Sequence, residues 1–168
     1  MPKNLEIERK FLIALPNERL LAAQPGARCD EIVQTYLIAD RGVTARVRAR
    51  RGANGTVYTA TEKRRLSDLT ATEDEREVQE EEYRRLLLRR DPSLRPIEKR
   101  RYVIPNGDLL LEIDVYPFWQ RQAVLEVELP SEDTPLLLPT YIEVIREVSG
   151  DRRYKNVSLA REIPAEDE

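Results

Sequence analysis

Leu5-Glu6-Ile7-Glu8-Arg9-Lys10-Phe11-Leu12 is the run on which the fold reading turns. In a β-strand, successive side chains point to opposite faces, so Glu6, Glu8 and Lys10 share one face and Leu5, Ile7 and Phe11 the other. The same alternation returns down the chain, with one charge sign dominating each run. Arg46, Arg48 and Arg50 share a face across Thr44–Arg51, Thr59, Thr61 and Lys63 across Thr56–Arg65, and Glu75 and Glu77 across Asp74–Glu80. Lys99 and Arg101 align in Pro96–Val103, Glu112 and Asp114 in Leu109–Tyr116, and Glu126 and Glu128 in Ala123–Leu129. With Leu5–Leu15 and Glu31–Ala39, these runs make about eight short strands. Turn chemistry separates them at Asp40-Arg41-Gly42, Ala53-Asn54-Gly55 and Asn106-Gly107-Asp108. Helices are expected at Asn17–Ala23, Glu81–Arg90, Glu132–Leu138 and Arg152–Arg161, with Pro92 ending the second and Ser131 capping the third. The expected fold class is α+β: an antiparallel closed β-barrel of about eight strands with a few surrounding helices, in one domain spanning 1–168.

A charge-alternating strand ordinarily belongs to an open sheet with one solvated face. Single-signed strands argue for something else. Carboxylates two residues apart repel one another, as do arginines, unless an opposite charge lies between them. An enclosed lumen with carboxylates on one side and cations on the other relieves both by binding metal and polyphosphate together. A membrane barrel also alternates, but Arg9, Glu62 and Arg100 interrupt the outer faces and there are no aromatic girdles.

Composition narrows the chemistry. The 168 residues include no histidine, which excludes Ser-His-Asp and Cys-His hydrolases and His-ligated zinc. Any reaction must run on carboxylates, cations, hydroxyls or a carboxylate-bound metal. The single cysteine, Cys29, allows no intramolecular disulfide and reads as a half-buried apolar residue before a strand. Twenty-eight basic and 31 acidic residues leave a net charge of -3, and basic residues are not interleaved with stacking aromatics, so nucleic acid is not an expected partner. Met1-Pro2-Lys3-Asn4-Leu5-Glu6 carries no signal-like apolar stretch and no segment reaches the ~20 apolar residues of a membrane helix, so a cytoplasmic location is expected.

Taken in order, Glu6-Ile7-Glu8-Arg9-Lys10, Arg46-Val47-Arg48, Thr61-Glu62-Lys63, Glu75-Arg76-Glu77, Glu98-Lys99-Arg100-Arg101-Tyr102, Glu112-Ile113-Asp114, Glu126-Val127-Glu128 and Arg153-Tyr154-Lys155-Asn156 resemble the motifs of the CYTH domains, the triphosphate tunnel metalloenzymes. The first matches the family's ExExK signature, and the set spans nearly the whole chain. One departure stands out. The family often carries an arginine two residues before the acidic pair corresponding to Glu75 and Glu77, whereas Glu73 stands here, so that pair's alignment is open by two residues.

The resemblance implies Mg²⁺ or Mn²⁺ held by Glu6, Glu8, Asp114, Glu126 and Glu128, with Glu75, Glu77 and Glu112 as additional members. It implies a triphosphate clamp of Lys10, Arg46, Arg48, Lys63, Lys99, Arg101 and Arg153. Glu128 is the implied water-orienting base, and Lys155 closes over the tunnel mouth. Arg50, Arg51, Arg64 and Arg65 read as surface charge instead. The implied activity is hydrolysis of inorganic triphosphate to pyrophosphate and phosphate. The family also contains cyclases making cyclic AMP from ATP and triphosphatases acting on thiamine triphosphate or nucleotides, and nothing in the sequence marks a base pocket. A polyphosphate-binding module without turnover is the non-enzymatic alternative. Phe118 and Trp119 read as packing or dimer contacts, and an apolar outer strand face is compatible with a homodimer.

Overall fold

The computed structural model describes residues 5–167; the stretch Met1 to Asn4 read above for a leader lies outside the described residues. Nine strands are formed among them: β1 (Leu5–Ala14), β2 (Arg28–Leu37), β3 (Thr44–Gly52), β4 (Gly55–Arg65), β5 (Thr70–Val78), β6 (Ile97–Asn106), β7 (Leu109–Val115), β8 (Gln122–Glu128) and β9 (Val144–Glu147). Helices are short: α1 (Glu18–Ala22), α2 (Glu80–Leu87) and α3 (Asn156–Leu159), the last preceded by a 3-10 turn at Arg152–Tyr154. None is long and apolar enough to cross a membrane.

Eight strands close into an antiparallel barrel in the order β1-β5-β4-β3-β2-β6-β7-β8. β1 makes the closure. One of its edges runs along β8 from Glu8↔Glu128 to Ala14↔Gln122. The other is divided, with Leu5–Ile7 pairing β5 and Phe11–Ile13 pairing β9. Tight turns set the hairpins; Gly107, at φ 61, supplies the left-handed residue between β6 and β7.

Two apolar clusters flank the charged interior. The first lies outside the barrel, where Phe11, Ile13, Tyr102, Ile104, Leu111, Ile113, Leu125 and Val127 are covered by Leu21 of α1 and by Leu136, Leu138 and Ile142 of the segment after β8. The second plugs one end of the interior. Leu12, Tyr36, Ile97, Tyr116 and Val124 meet Trp119, Tyr154 and Leu159 there. Leu12 shares parity with Lys10, and Val124 with Glu126, so each inner face turns from charged to apolar along its own strand.

Asn17 caps α1 as anticipated, accepting from the backbone N–H of Arg19 and Leu20. The helix expected at Glu132–Leu138 does not form. Pro135 interrupts it, Pro130 and Pro139 flank it, and Ser131 and Thr134 close a turn instead of a cap. The helix expected over Arg152–Arg161 is broken into the 3-10 turn and α3, and β9, only four residues long, had no alternation to announce it. Strand β2 starts at Arg28, so Cys29 lies within it and is exposed rather than half-buried before it. Trp119 is a packing residue: it is buried, meets the Tyr116 ring edge-on at 5.4 Å, and its Nε1 donates to Pro164 O at 3.0 Å.

Candidate active site

The barrel encloses a cavity of about 570 Å³. Because the ring order is fixed, its lining separates into two walls. Carboxylates come from four consecutive strands: Glu112 on β7, Glu126 and Glu128 on β8, Glu6 and Glu8 on β1, and Glu73 and Glu75 on β5. Cations come from the other side: Lys63 and Arg65 on β4, Arg46, Arg48 and Arg50 on β3, and Arg101 on β6. At the seams the walls neutralise each other. Arg101 Nη1 lies 2.8 Å from Glu112 Oε2, and Lys63 Nζ lies 3.8 Å from Glu73 Oε2. Lys10 is the cation within the acidic wall, 3.3 Å from Glu126 Oε1, with its Nζ donating to Tyr154 O.

Away from the seams compensation is partial. Glu8 stands directly opposite Glu128, and Glu112 opposite Glu126, in adjacent antiparallel strands, an arrangement that is destabilising without a cation. Lys63, 2.5 Å from Glu6 and 3.9 Å from Glu8, supplies part of one. Burial, then the neighbouring Glu126, push the Glu8 carboxyl up to about 7. Burial raises Glu128 as well, helped by Glu6 and Glu112. Burial opposes ionisation of Glu126, but Lys10, Arg101 and Lys99 hold it well below the ordinary range. On the opposite wall, Arg48 donates through Nη2 to Gln34 Oε1 at 3.0 Å, and Gln34 donates to the Tyr36 hydroxyl. Arg46 Nε, Arg48 Nε and Arg50 Nη2 are buried without a partner. Unpaired guanidinium N–H groups in residues that line a cavity are candidate donors for an anion.

Beneath the lining, Asp114 is fully buried and gripped by two cations. Arg101 donates to it through Nε at 2.8 Å and Nη2 at 2.9 Å, and Lys99 Nζ lies 2.8 Å away. Burial works against its charge, but these cations hold its carboxyl down to about 2. Burial, with Arg101 and Arg48 close by, brings the Lys99 ammonium down to about 7 despite Asp114.

The chain is 34% identical over 164 residues to an inorganic triphosphatase of Nitrosomonas europaea, covering 95% of this chain and 99% of that protein. The chain belongs to the CYTH family of triphosphate tunnel metalloenzymes. The solved structure of the inorganic triphosphatase NE1496 matches with a TM-score of 0.58 at 30% identity, over 95% of this chain and 97% of that one. The PH1819 protein of Pyrococcus horikoshii OT3, 18% identical with a TM-score of 0.57 over 76% of this chain and 80% of that one, shares the fold. No family model matches.

Of the CYTH motif residues, Glu6, Glu8, Lys10, Arg46, Arg48, Lys63, Glu75, Arg101, Glu112, Glu126, Glu128 and Lys155 all line the cavity. Lys99 and Asp114 sit below it as a buried pair. Asp114 is enclosed by its two cations, which leaves it placed to fix Arg101 rather than to meet an ion in the cavity. Arg153 points away from the lumen; it is mostly exposed and donates to Asp151 at 2.7 Å. Glu77 faces Thr59 beyond the lining, while Glu73 and Glu75, opposite Lys63 and Thr61, lie within it. Two arginines read as surface charge belong to the lining. Arg50 shares the parity of Arg46 and Arg48, a signal present in the sequence, whereas Arg65 follows Lys63 by two residues in the same way. Tyr36, Thr44 and Asn156 also line the cavity and carry no charge pattern that would have flagged them.

The acidic wall suits hard divalent cations, which take carboxylate oxygen and complete their coordination with phosphate and water. Among the described residues no three acidic side chains converge into a ready-made metal site. The facing pair Glu8 and Glu128, with Glu6 and Glu126 beside them, is the donor set whose mutual repulsion a cation would relieve.

Proposed function

We propose that this chain hydrolyses inorganic triphosphate to pyrophosphate and phosphate, with Mg²⁺ or Mn²⁺ as cofactor. The observation that carries the reading is the division of one closed cavity into a cationic wall with unpaired N–H donors and an acidic wall of facing carboxylates. A triphosphate with bound divalent cations presents the two complementary charges. The activity of the Nitrosomonas europaea relative supports the same substrate.

In this reading Arg46, Arg48, Lys63 and Arg101 bind the phosphate oxygens, Arg46 and Arg48 through their unpaired N–H donors, Lys63 as a point charge, and Arg101 as a cation held in place by Asp114. Lys10 approaches from the acidic side, and Lys155 from the segment between the 3-10 turn and α3. Lys99 adds positive potential from beneath the lining, and Asp114 holds the Arg101 guanidinium in plane. Glu6, Glu8, Glu126 and Glu128 would hold the metal, with Glu75 and Glu112 at the margins. A divalent cation bound there would relieve charge at the leaving pyrophosphate and acidify a water. Glu128 orients the attacking water and accepts its proton; burial and neighbouring carboxylates increase its basicity. Phosphoryl transfer asks the protein mainly for position and charge stabilisation, and a rigid closed barrel supplies both. A cytoplasmic location and pairing into a homodimer belong to the same proposal, to be tested by fractionation and by molecular mass in solution.

Phosphate release from tripolyphosphate, ATP and thiamine triphosphate, with Mg²⁺, Mn²⁺ or EDTA and with cyclic AMP scored, tests the activity. Metal-dependent preference for tripolyphosphate supports it. Cyclic AMP formed from ATP would reassign the chain as a cyclase, and tight tripolyphosphate binding without turnover under either metal would make it a binding module.

A further inference from the structure

We infer that Arg50 is a further substrate-binding residue of the cationic wall and that Asp30 is its positioning residue. The inference rests on the triphosphatase reading above. Arg46, Arg48 and Arg50 point inward from one strand at successive steps of two residues, so the arginine ladder runs roughly 13 Å along the cavity. Arg46 pairs across to Tyr36, at the plugged end, whereas Arg50 pairs across to Ile32, farther from it. Glu112 and Glu128 likewise occupy the ends of their strands' inward faces away from the plug residues Tyr116 and Val124. Arg50 therefore stands toward the end of the cavity that holds the proposed base, where it would contact the terminal phosphoryl group.

The side chain is built to hold that position. Asp30, nearly buried, accepts from Arg50 Nε at 2.5 Å, and exposed Arg28 lies 3.5 Å from the same carboxylate oxygen. The contact uses Nε and holds the guanidinium in place, while the neighbouring Nη2 is buried with no partner, so an N–H donor of the group remains unmet. A simple ion pair would consume the group's donors, and this one does not. Gly52 makes room for the arrangement, since a Cβ there would lie 2.5 Å from Asp30 Oδ1. The next residue, Arg51, has the opposite parity, pairs with Glu31 and is largely exposed, which makes it a natural control.

The test is steady-state hydrolysis of tripolyphosphate together with calorimetric binding of the same anion. Removing a charged phosphate contact is expected to raise KM, and weaken binding, by about 10- to 100-fold in Arg50→Gln, with kcat changed much less. Arg50→Lys should fall between, because it keeps the charge but not the fork. Arg51→Gln should match the wild type. Asp30→Asn should raise KM only while Arg50 is present, so the double variant should be no worse than Arg50→Gln alone. Gly52→Ala, which keeps both side chains, should behave like Asp30→Asn and reads the same device should Arg50→Gln prove unstable. A KM for Arg50→Gln within about twofold of wild type, or effects of Asp30 and Arg50 that add in full, would overturn the inference. If the wild type does not hydrolyse tripolyphosphate at all, the functional reading fails, while the binding comparison still decides the role of Arg50.

Discussion

The charges inside this barrel do opposing work, and substitutions should separate them. Glu8 and Glu126 line the cavity and are proposed to hold a cation; changing either to Gln should lower tripolyphosphate turnover by about 10- to 100-fold. The ligand-free Glu8→Gln protein should melt no lower than the wild type, because the carboxyl it replaces is already raised to about 7 by burial and Glu126. A matched fall in activity and melting temperature would instead mark a structural role. Asp114 should behave in the reverse sense. Its pKa lies at about 2, below the ordinary 3.8, so it contributes stability that is present above about pH 4 and lost as pH falls toward 2. Asp114→Asn should flatten the acid limb of the stability profile in urea titrations. At pH 7 it should cost about 3–5 kcal/mol, since Lys99 and Arg101 lose their buried partner.

Among the elements, β1 carries the most. It closes the barrel through β5, builds the acidic wall with β8 and seats β9, all within ten residues. The C-terminal segment is tied to it, with Val148 N donating to Lys10 O and Lys10 Nζ donating to Tyr154 O. The plug fixes how that segment is held and thereby where Lys155 reaches the cavity. Trp119→Ala removes the ring at the plug's centre and should cost about 3–5 kcal/mol in chemical denaturation. It should reduce activity only as far as Lys155 is displaced. An unchanged unfolding midpoint would show that the plug is dispensable to the barrel.

At the scale of the whole molecule the two walls make stability and ligand binding one problem. Ligands of opposite sign should stabilise jointly. Tripolyphosphate and Mg²⁺ together at about 100 times Kd should add about 2.7 kcal/mol, visible as a raised melting temperature, with either alone adding less. Equal shifts from the anion alone and from the mixture would argue against a shared site. Much of this architecture was legible in the chain. Period-two alternation matched five of the strands to within one residue at each end, placed β2, β5 and β6 with an end displaced by three or four, and sorted charged from apolar faces, because a strand's side-chain direction is a local property of the backbone. The Glu-x-Glu and Arg-x-Arg spacings told which residues share a face for the same reason. Local pattern misled where proline or brevity overrode it, at residues 132–138 and at β9. It could not tell a solvated charged face from an enclosed one; that depends on β1 reaching β5, a pairing of residues more than sixty positions apart. Nor could it show that Asp114 is buried between Lys99 and Arg101, that Arg153 turns outward to Asp151, or that Asp30 anchors the Arg50 guanidinium. The sequence by itself determined which charges travel together on each strand. The closure of the barrel decided which strands become neighbours, and hence that like charges collect into two facing walls, because the free energy of a charge depends on what surrounds it and not on what precedes it in the chain.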